Sequence, residues 1–496
     1  MRRPLGSETR VFFLLLLLGV SGVLGCGSSA PEATALAGEG GRPATIVLIT
    51  TTGLRADSLG PLTPSLNAFK EEATWSGPGL AASPRTASAL ASMLTGLRPW
   101  QHQVVDPGDP RLHPSRITLA EALAALGYHT AAFLPNYRLR FGHGYRQGFV
   151  DYEAAGGGSP GQYLAALDGS PTFVWIHLPE PQPPYREHAH LRSRLEVLGR
   201  LPARLPARMN WADLVPPGDG SLRPFRRIRA STLYRYEVAA LDDTIGGLLA
   251  ALRQSGQFAE ALVVVTSLHG TELGEHGQLG SGETLYREVL EVPLIVKLPE
   301  SRGLSSIPDV HHRPAISGLW ATLVGAAGGV VPPALEPDVL TTPPRPVVSE
   351  LYAGNGFNAF SLVDGDLQWL RTVPFAPPES AYVSARLAQR GVAAARLPSP
   401  VANPPGLPLA RLRVAFEATL PFSGGELPVR EALYRWSADG VGTVALPLDP
   451  TATADPQRAR LARRWHAFLD QERTPGEERA RLWEPPPTRA SSSGAR

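Results

Sequence analysis

The chain has 496 residues, 43% of them hydrophobic, with 50 glycines and 50 prolines, which is length enough for one large α/β domain plus a smaller appendage. Its 47 basic and 45 acidic residues leave a formal charge of +2. No basic block is dense enough to argue for nucleic acid as a partner.

The first segment in chain order is a basic stretch, MRRPLGSETR, followed by the apolar VFFLLLLLGV. That run is too short to span a bilayer comfortably and reads as the core of a signal peptide over 1–25. Small residues then lead into Val23-Leu24-Gly25-Cys26, which resembles a bacterial lipobox, the motif in which the cysteine is lipidated. The expectation is an exported chain held to a bacterial membrane by a lipid on Cys26, with its soluble body on the periplasmic or extracellular side. Cys26 is also the single cysteine, so disulfides and thiolate-rich metal sites are excluded. Residues 26–42 are small and polar and read as a flexible tether.

From there strands and helices alternate. TIVLIT (45–50) reads as a strand, and TPSLNAFKEEA (63–73) as a helix with Pro64 at its first position. TASALASMLTG (86–96) is a small-residue helix. SRITLAEALAALG (115–127) is another, closed by Gly127. HTAAFL (129–134) and PTFVWIHL (171–178) read as strands, and the Pro- and Arg-rich 201–229 as a surface loop or insertion. Apolar residues at three- and four-residue steps over 231–256 predict a long amphipathic helix. ALVVVTS (261–267) is a continuous apolar run, the mark of a strand buried on both faces, and VPLIVKL (292–298) is a further strand. This alternation predicts an α/β fold over 43–335, with a mostly parallel central sheet flanked by helices. Beyond it, RPVVSELY, FNAFSLVDGDLQWLRT and EALYRWSADG read as short strands, with a hairpin signal at Asp364-Gly365. With a late helix at 455–473 they make a smaller C-terminal sheet-and-helix subdomain over 336–473, and 474–496 reads as a disordered tail.

Five segments in order carry a family resemblance: ATIVLITTTGLRADSLG, TPSLNAFKEEA, ASALASMLTGLRPWQHQV, TFVWIHLPEPQPPY and LVVVTSLHGTELGEHGQLGSGETLYREVLEVPLIVKLP. Together they resemble the sulfatases of the alkaline phosphatase superfamily over roughly 43–330. The resemblance implies an alkaline-phosphatase-like fold. It also implies a site where a divalent cation, Ca or Zn, polarises a sulfuric or phosphoric ester while a nucleophile attacks in line.

Carried over position by position, the motifs are depleted. The metal-binding aspartate that ends the first strand falls on Thr52, next to Gly53, while Arg55 and Asp57 survive as structural residues. The nucleophile falls on Thr86, and the x-P-S-R that should follow is Ala87-Ser88-Ala89-Leu90, so formylglycine formation is not expected. Gln182 stands for an ester-binding histidine and Glu180 for an aspartate. Leu268 replaces a second metal aspartate, although the adjacent His269 remains. His276 fits its motif, and Ser281 stands where a His or Lys would hold the ester.

A dehydrated divalent cation needs charged oxygen ligands, and this inferred cradle holds neutral ones. Thr86 also reads as an ordinary helix N-cap with no activating base in evident register. The expectation is therefore a catalytically inactive, lipid-anchored sulfatase-like protein without a cofactor. Its cleft would be empty or would hold an anionic sugar or envelope component. One alternative is an active ester hydrolase using Thr86, with Glu180, Asp106 or Glu272 recruited as ligands. The other is a structural lipoprotein that binds partners through 201–229 or the C-terminal region.

Overall fold

A computed structural model describes residues 41–374, apart from 106–109, 135–142, 153–158, 215–223, 303–312, 355–356 and the single residues 200, 203 and 334. It further describes 430–436, 443–446, 459–461 and 463–464. The signal peptide, Cys26, Asp106, most of the late helix and the C-terminal tail expected from the sequence lie outside these residues.

The seven-stranded main sheet runs in the spatial order Trp75–Leu80, Glu291–Lys297, Leu262–Ser267, Thr45–Thr51, Thr172–His177, His129–Phe133, Asp151–Tyr152. The last five strands in that order pair in parallel, and the first two join antiparallel at one edge. Alternation explains why the central strands are apolar throughout. Ile46, Leu48, Phe173, Trp175, Leu262 and Val264 point into one core, whereas Val47, Ile49, Val174, Ile176, Val263 and Val265 point into the other. The first core is covered by helices Thr86–Thr95, Leu119–Ala125 and Leu319–Ala326, and the second by Pro64–Glu72 and the long Pro224–Gln254.

Local chemistry sets the element ends. Helix Leu119–Ala125 begins at a capping box, in which Thr118 and Glu121 satisfy each other's backbone amides. Gly127 follows its end at φ +88°, as the sequence predicts. Pro64 does open helix Pro64–Glu72, but Thr63 does not cap it. That role falls to Asp242 of the long helix, which accepts from the amides of Ser65 (3.0 Å) and Leu66 (2.8 Å).

Two expectations need correction. The long helix starts at Pro224, so the 201–229 segment is not all loop, and it also holds short elements at Arg208–Met209 and Trp211–Leu214. Strand Trp75–Leu80 escaped the sequence reading because it contains Gly77-Pro78-Gly79. Its edge position tolerates the missing amide of Pro78. Beyond residue 346, five antiparallel strands, Val347–Gly354, Phe357–Asp364, Leu367–Pro374, Arg430–Trp436 and Thr443–Leu446, pair in chain order. The hairpin formed by Phe357–Asp364 and Leu367–Pro374 turns at Gly365, which has φ +67°.

Candidate active site

The register of the central strands brings three polar strand ends together. Thr50 lies opposite His177 on one side and Thr266 on the other, and Thr51 lies opposite Ser267. The chain then turns twice in close contact: Leu268 N–H donates to Thr51 O (2.9 Å) and Gly53 N–H to His269 O (2.8 Å). Gly53 has φ +89°, and a Cβ there would sit 2.9 Å from Pro181 O, so this turn needs glycine.

Around these turns runs a network of neutral groups. Trp175 Nε1–H donates to Thr50 Oγ1 (2.9 Å), which also bonds His177 Nδ1 (2.9 Å), and His177 Nε2 faces Thr52 Oγ1 at 3.4 Å. On the opposite side, His269 Nδ1 lies 2.8 Å from Gly270 O. A carbonyl only accepts, so Nδ1 carries the proton and Nε2 is left as an acceptor. Thr86 Oγ1 lies 2.9 Å from that Nε2 and donates to it, while Gln182 Nε2 donates to Thr86 Oγ1 at 3.2 Å.

Burial fixes the charge of this network. It pushes His269 down to about 4. Burial, followed by the neighbouring His269, pushes His177 down to about 3. Both imidazoles are therefore neutral near pH 7.

Four of the residues picked out in the sequence, Thr52, Thr86, Gln182 and His269, share this hydrogen-bonded region with His177. Leu268 does not: it is fully buried in the apolar core that also holds Leu90. His276 is stacked on Tyr286 (centroids 3.6 Å apart, 14° between planes) and paired with Glu288 at 3.2 Å. Burial pulls its imidazole down, but the Glu288 carboxylate outweighs this, and its pKa is raised. Ser281 lines a cleft of about 1020 Å³ that opens over Thr86 and Gln182, between Glu180, Glu237 and Glu283 on one hand and Arg85, Arg186 and Arg208 on the other. Burial raises the pKa of all three of these carboxyl groups.

Two sequence readings change here. Thr86 is not an N-cap: Arg85 holds that position, and the Thr86 hydroxyl turns to His269 instead. Nor does it lack a base, since His269 Nε2 is within hydrogen-bond reach. His177 and Arg85 were missed. A histidine ending the WIHL strand was the available signal for His177. Arg85 donates to Gly282 O (2.9 Å) and Tyr352 O (2.7 Å), contacts that no local pattern reveals.

The cradle does not fit a hard divalent cation. Among the described residues no three His, Cys, Asp or Glu side chains are grouped to hold one. Asp57 and Glu275 are committed to Arg55, at 2.6 Å each. Glu272 accepts from Thr284 at 2.6 Å, and burial pushes its carboxyl up to about 7, so it is no ready-made carboxylate ligand.

The Sulfatase family model matches residues 161–328. A curated relative, the Multifunctional alkaline phosphatase superfamily protein PehA of Trinickia caryophylli, is 28% identical over 160 residues, covering 27% of this chain and 30% of that protein. The match thus spans less than a third of that relative's length. Among solved structures, a putative sulfatase from Bacteroides thetaiotaomicron VPI-5482 superposes with a TM-score of 0.52 at 15% identity, over 71% of this chain and 90% of its own. A 2-O GAG sulfatase gives a TM-score of 0.54 at 14% identity, over 89% and 94% of the two chains. At these identities the likeness is one of fold.

Proposed function

We propose that this chain, whose residues 161–328 match the Sulfatase family model, is a member of the sulfatase family of the alkaline phosphatase superfamily that has given up the family's divalent-metal chemistry and keeps the cleft as a binding site. One observation carries the reading. The place for a cation is filled by Thr52, His177 and His269, all neutral, with no carboxylate among them.

Transfer of a sulfuryl or phosphoryl group builds negative charge on several oxygens at once, and losing a single stabilising partner costs about a hundredfold or more in rate. Here the cation is unsupported, and Leu90, Gln182 and Ser281 offer no positive charge in place of the family's residues. Sulfuric and phosphoric esters are therefore bound, if at all, without turnover. The lipobox-like Val23–Cys26 segment supports placing this cleft outside the cytoplasmic membrane, near envelope components.

The test is metal analysis of the purified full chain, together with aryl sulfate, phosphate monoester and phosphonate monoester assays with and without added Ca²⁺ or Zn²⁺. The expected result is substoichiometric metal and no turnover above buffer. One tightly held divalent ion per chain, or ester turnover abolished by EDTA, overturns the reading.

A further inference from the structure

We infer that Thr86 and His269 form a metal-free nucleophile–base pair that accepts an acyl group from a carboxylic ester. The inference rests on the reading above that the cleft holds no divalent cation, and it adds an activity to it.

Geometry comes first. The Thr86 hydroxyl donates to His269 Nε2 at 2.9 Å, the arrangement a general base needs before proton transfer. The ring is held from behind, with Nδ1 against Gly270 O at 2.8 Å. That carbonyl is itself fixed, because Gly270 N–H donates to Val289 O (2.7 Å) and a Cβ on Gly270 would meet Glu288 O at 2.1 Å. A main-chain carbonyl thus does the orienting that a carboxylate does in a Ser-His-Asp triad. On the other side of the hydroxyl, the Gln182 amide donates to Oγ1 at 3.2 Å, within reach of an oxygen developing charge beside it.

Charge selects the substrate class. Arg85, the basic residue next to Thr86 in the chain, is spent on the carbonyls of Gly282 and Tyr352. The cleft walls carry Glu180, Glu237 and Glu283 together with Arg186 and Arg208, but the Thr86 hydroxyl itself is bonded to the neutral His269 and Gln182. A sulfate or phosphate ester enters such a place already anionic and needs cations to react. A carboxylic ester enters neutral and develops one negative charge on one oxygen, which an amide donor can carry.

The step balances without a co-reactant. Thr86 Oγ1 attacks the carbonyl carbon as its proton passes to His269 Nε2. The bond to the alcohol oxygen then breaks, and that oxygen leaves with the proton from Nε2. Water reverses the sequence on acyl-Thr86, releasing the acid and restoring the hydroxyl.

The experiment exposes the full chain to p-nitrophenyl acetate in EDTA, reading nitrophenolate release and the mass of the Thr86 peptide. One acetyl group on Thr86 is expected, absent in Thr86→Ala, retained in Thr86→Ser, and formed about a hundredfold or more slowly in His269→Gln. Matched thermal melts separate this loss from unfolding, and Gln182→Ala, which leaves the pair intact, is expected to slow acetylation at an unchanged melting temperature. Acetylation equal in wild type and Thr86→Ala, or confined to other residues, overturns the inference and leaves the metal-free reading standing. Acetylation or ester turnover that requires a divalent ion sinks both.

Discussion

Glu272 sits on a two-stranded ribbon formed by Glu272–Leu273 and Leu279–Gly280, 2% exposed, with Oε2 bonded to Thr284 (2.6 Å) and Oε1 buried without a hydrogen-bond partner. Burial is the largest influence on its carboxyl and pushes it from 4.5 up to about 7, against the pull of Thr284 and His276. Between these two pH values the unfolded chain has lost this proton and the folded chain still holds it. Stability therefore falls as pH rises from about 4.5 to about 7 and levels off above, because the folded state binds more protons in that window. At about 1.36 kcal/mol per pH unit the loss is on the order of 3 kcal/mol at most. Glu272→Gln keeps an acceptor for Thr284 and removes the titration. Urea unfolding followed by tryptophan fluorescence at pH 4.5, 6 and 8 should show the variant gaining on wild type as pH rises, by up to that amount. Parallel stability profiles would refute the claim that Glu272 is held protonated, and would return it to the list of candidate ligands.

Two further substitutions test the scaffold of the site. Thr50→Val deprives Trp175 Nε1 and His177 Nδ1 of their common partner inside a dry core. Two buried polar groups left unpaired should cost about 2–5 kcal/mol by chemical denaturation, and a loss within error of zero would mean that the network is not tightly formed. Asp242→Ala removes the carboxylate that receives both first-turn amides of helix Pro64–Glu72. It should cost about 1–3 kcal/mol and raise amide exchange at Ser65 and Leu66, whereas exchange unchanged at those two residues would show that the cap is made elsewhere.

What could be read from the sequence was what lies in single residues and short periods. The runs IVLI and FVWI announced strands and LVVV a strand buried on both faces, and all three divide their side chains between two cores as alternation requires. Positions Thr52, Thr86, Gln182 and His269 were legible because neighbouring motifs fixed their register. What stayed hidden depends on which strands end side by side. His177 enters the site only because Thr50 pairs with it across the sheet. His269 becomes the partner of Thr86 only because two turns after separate strands are hydrogen-bonded to each other. The cap from Asp242 crosses 177 residues of sequence to Ser65 and could not be seen locally.

On the proposed metal-free reading, these contacts also account for the stability of the site. Removing two metal aspartates from a buried pocket would leave histidines without partners, at about 1–3 kcal/mol for each unpaired group. The replacements avoid that cost in different ways. Leu268 joins the apolar core, while Thr52 faces His177 Nε2, and the Thr86 hydroxyl donates a hydrogen bond to His269 Nε2. The hydroxyls of Thr50 and Thr52 thus do more than stand where a carboxylate is expected. They form a neutral hydrogen-bonded network, and the Thr86 hydroxyl beside it faces both the cleft and the fixed acceptor His269 Nε2.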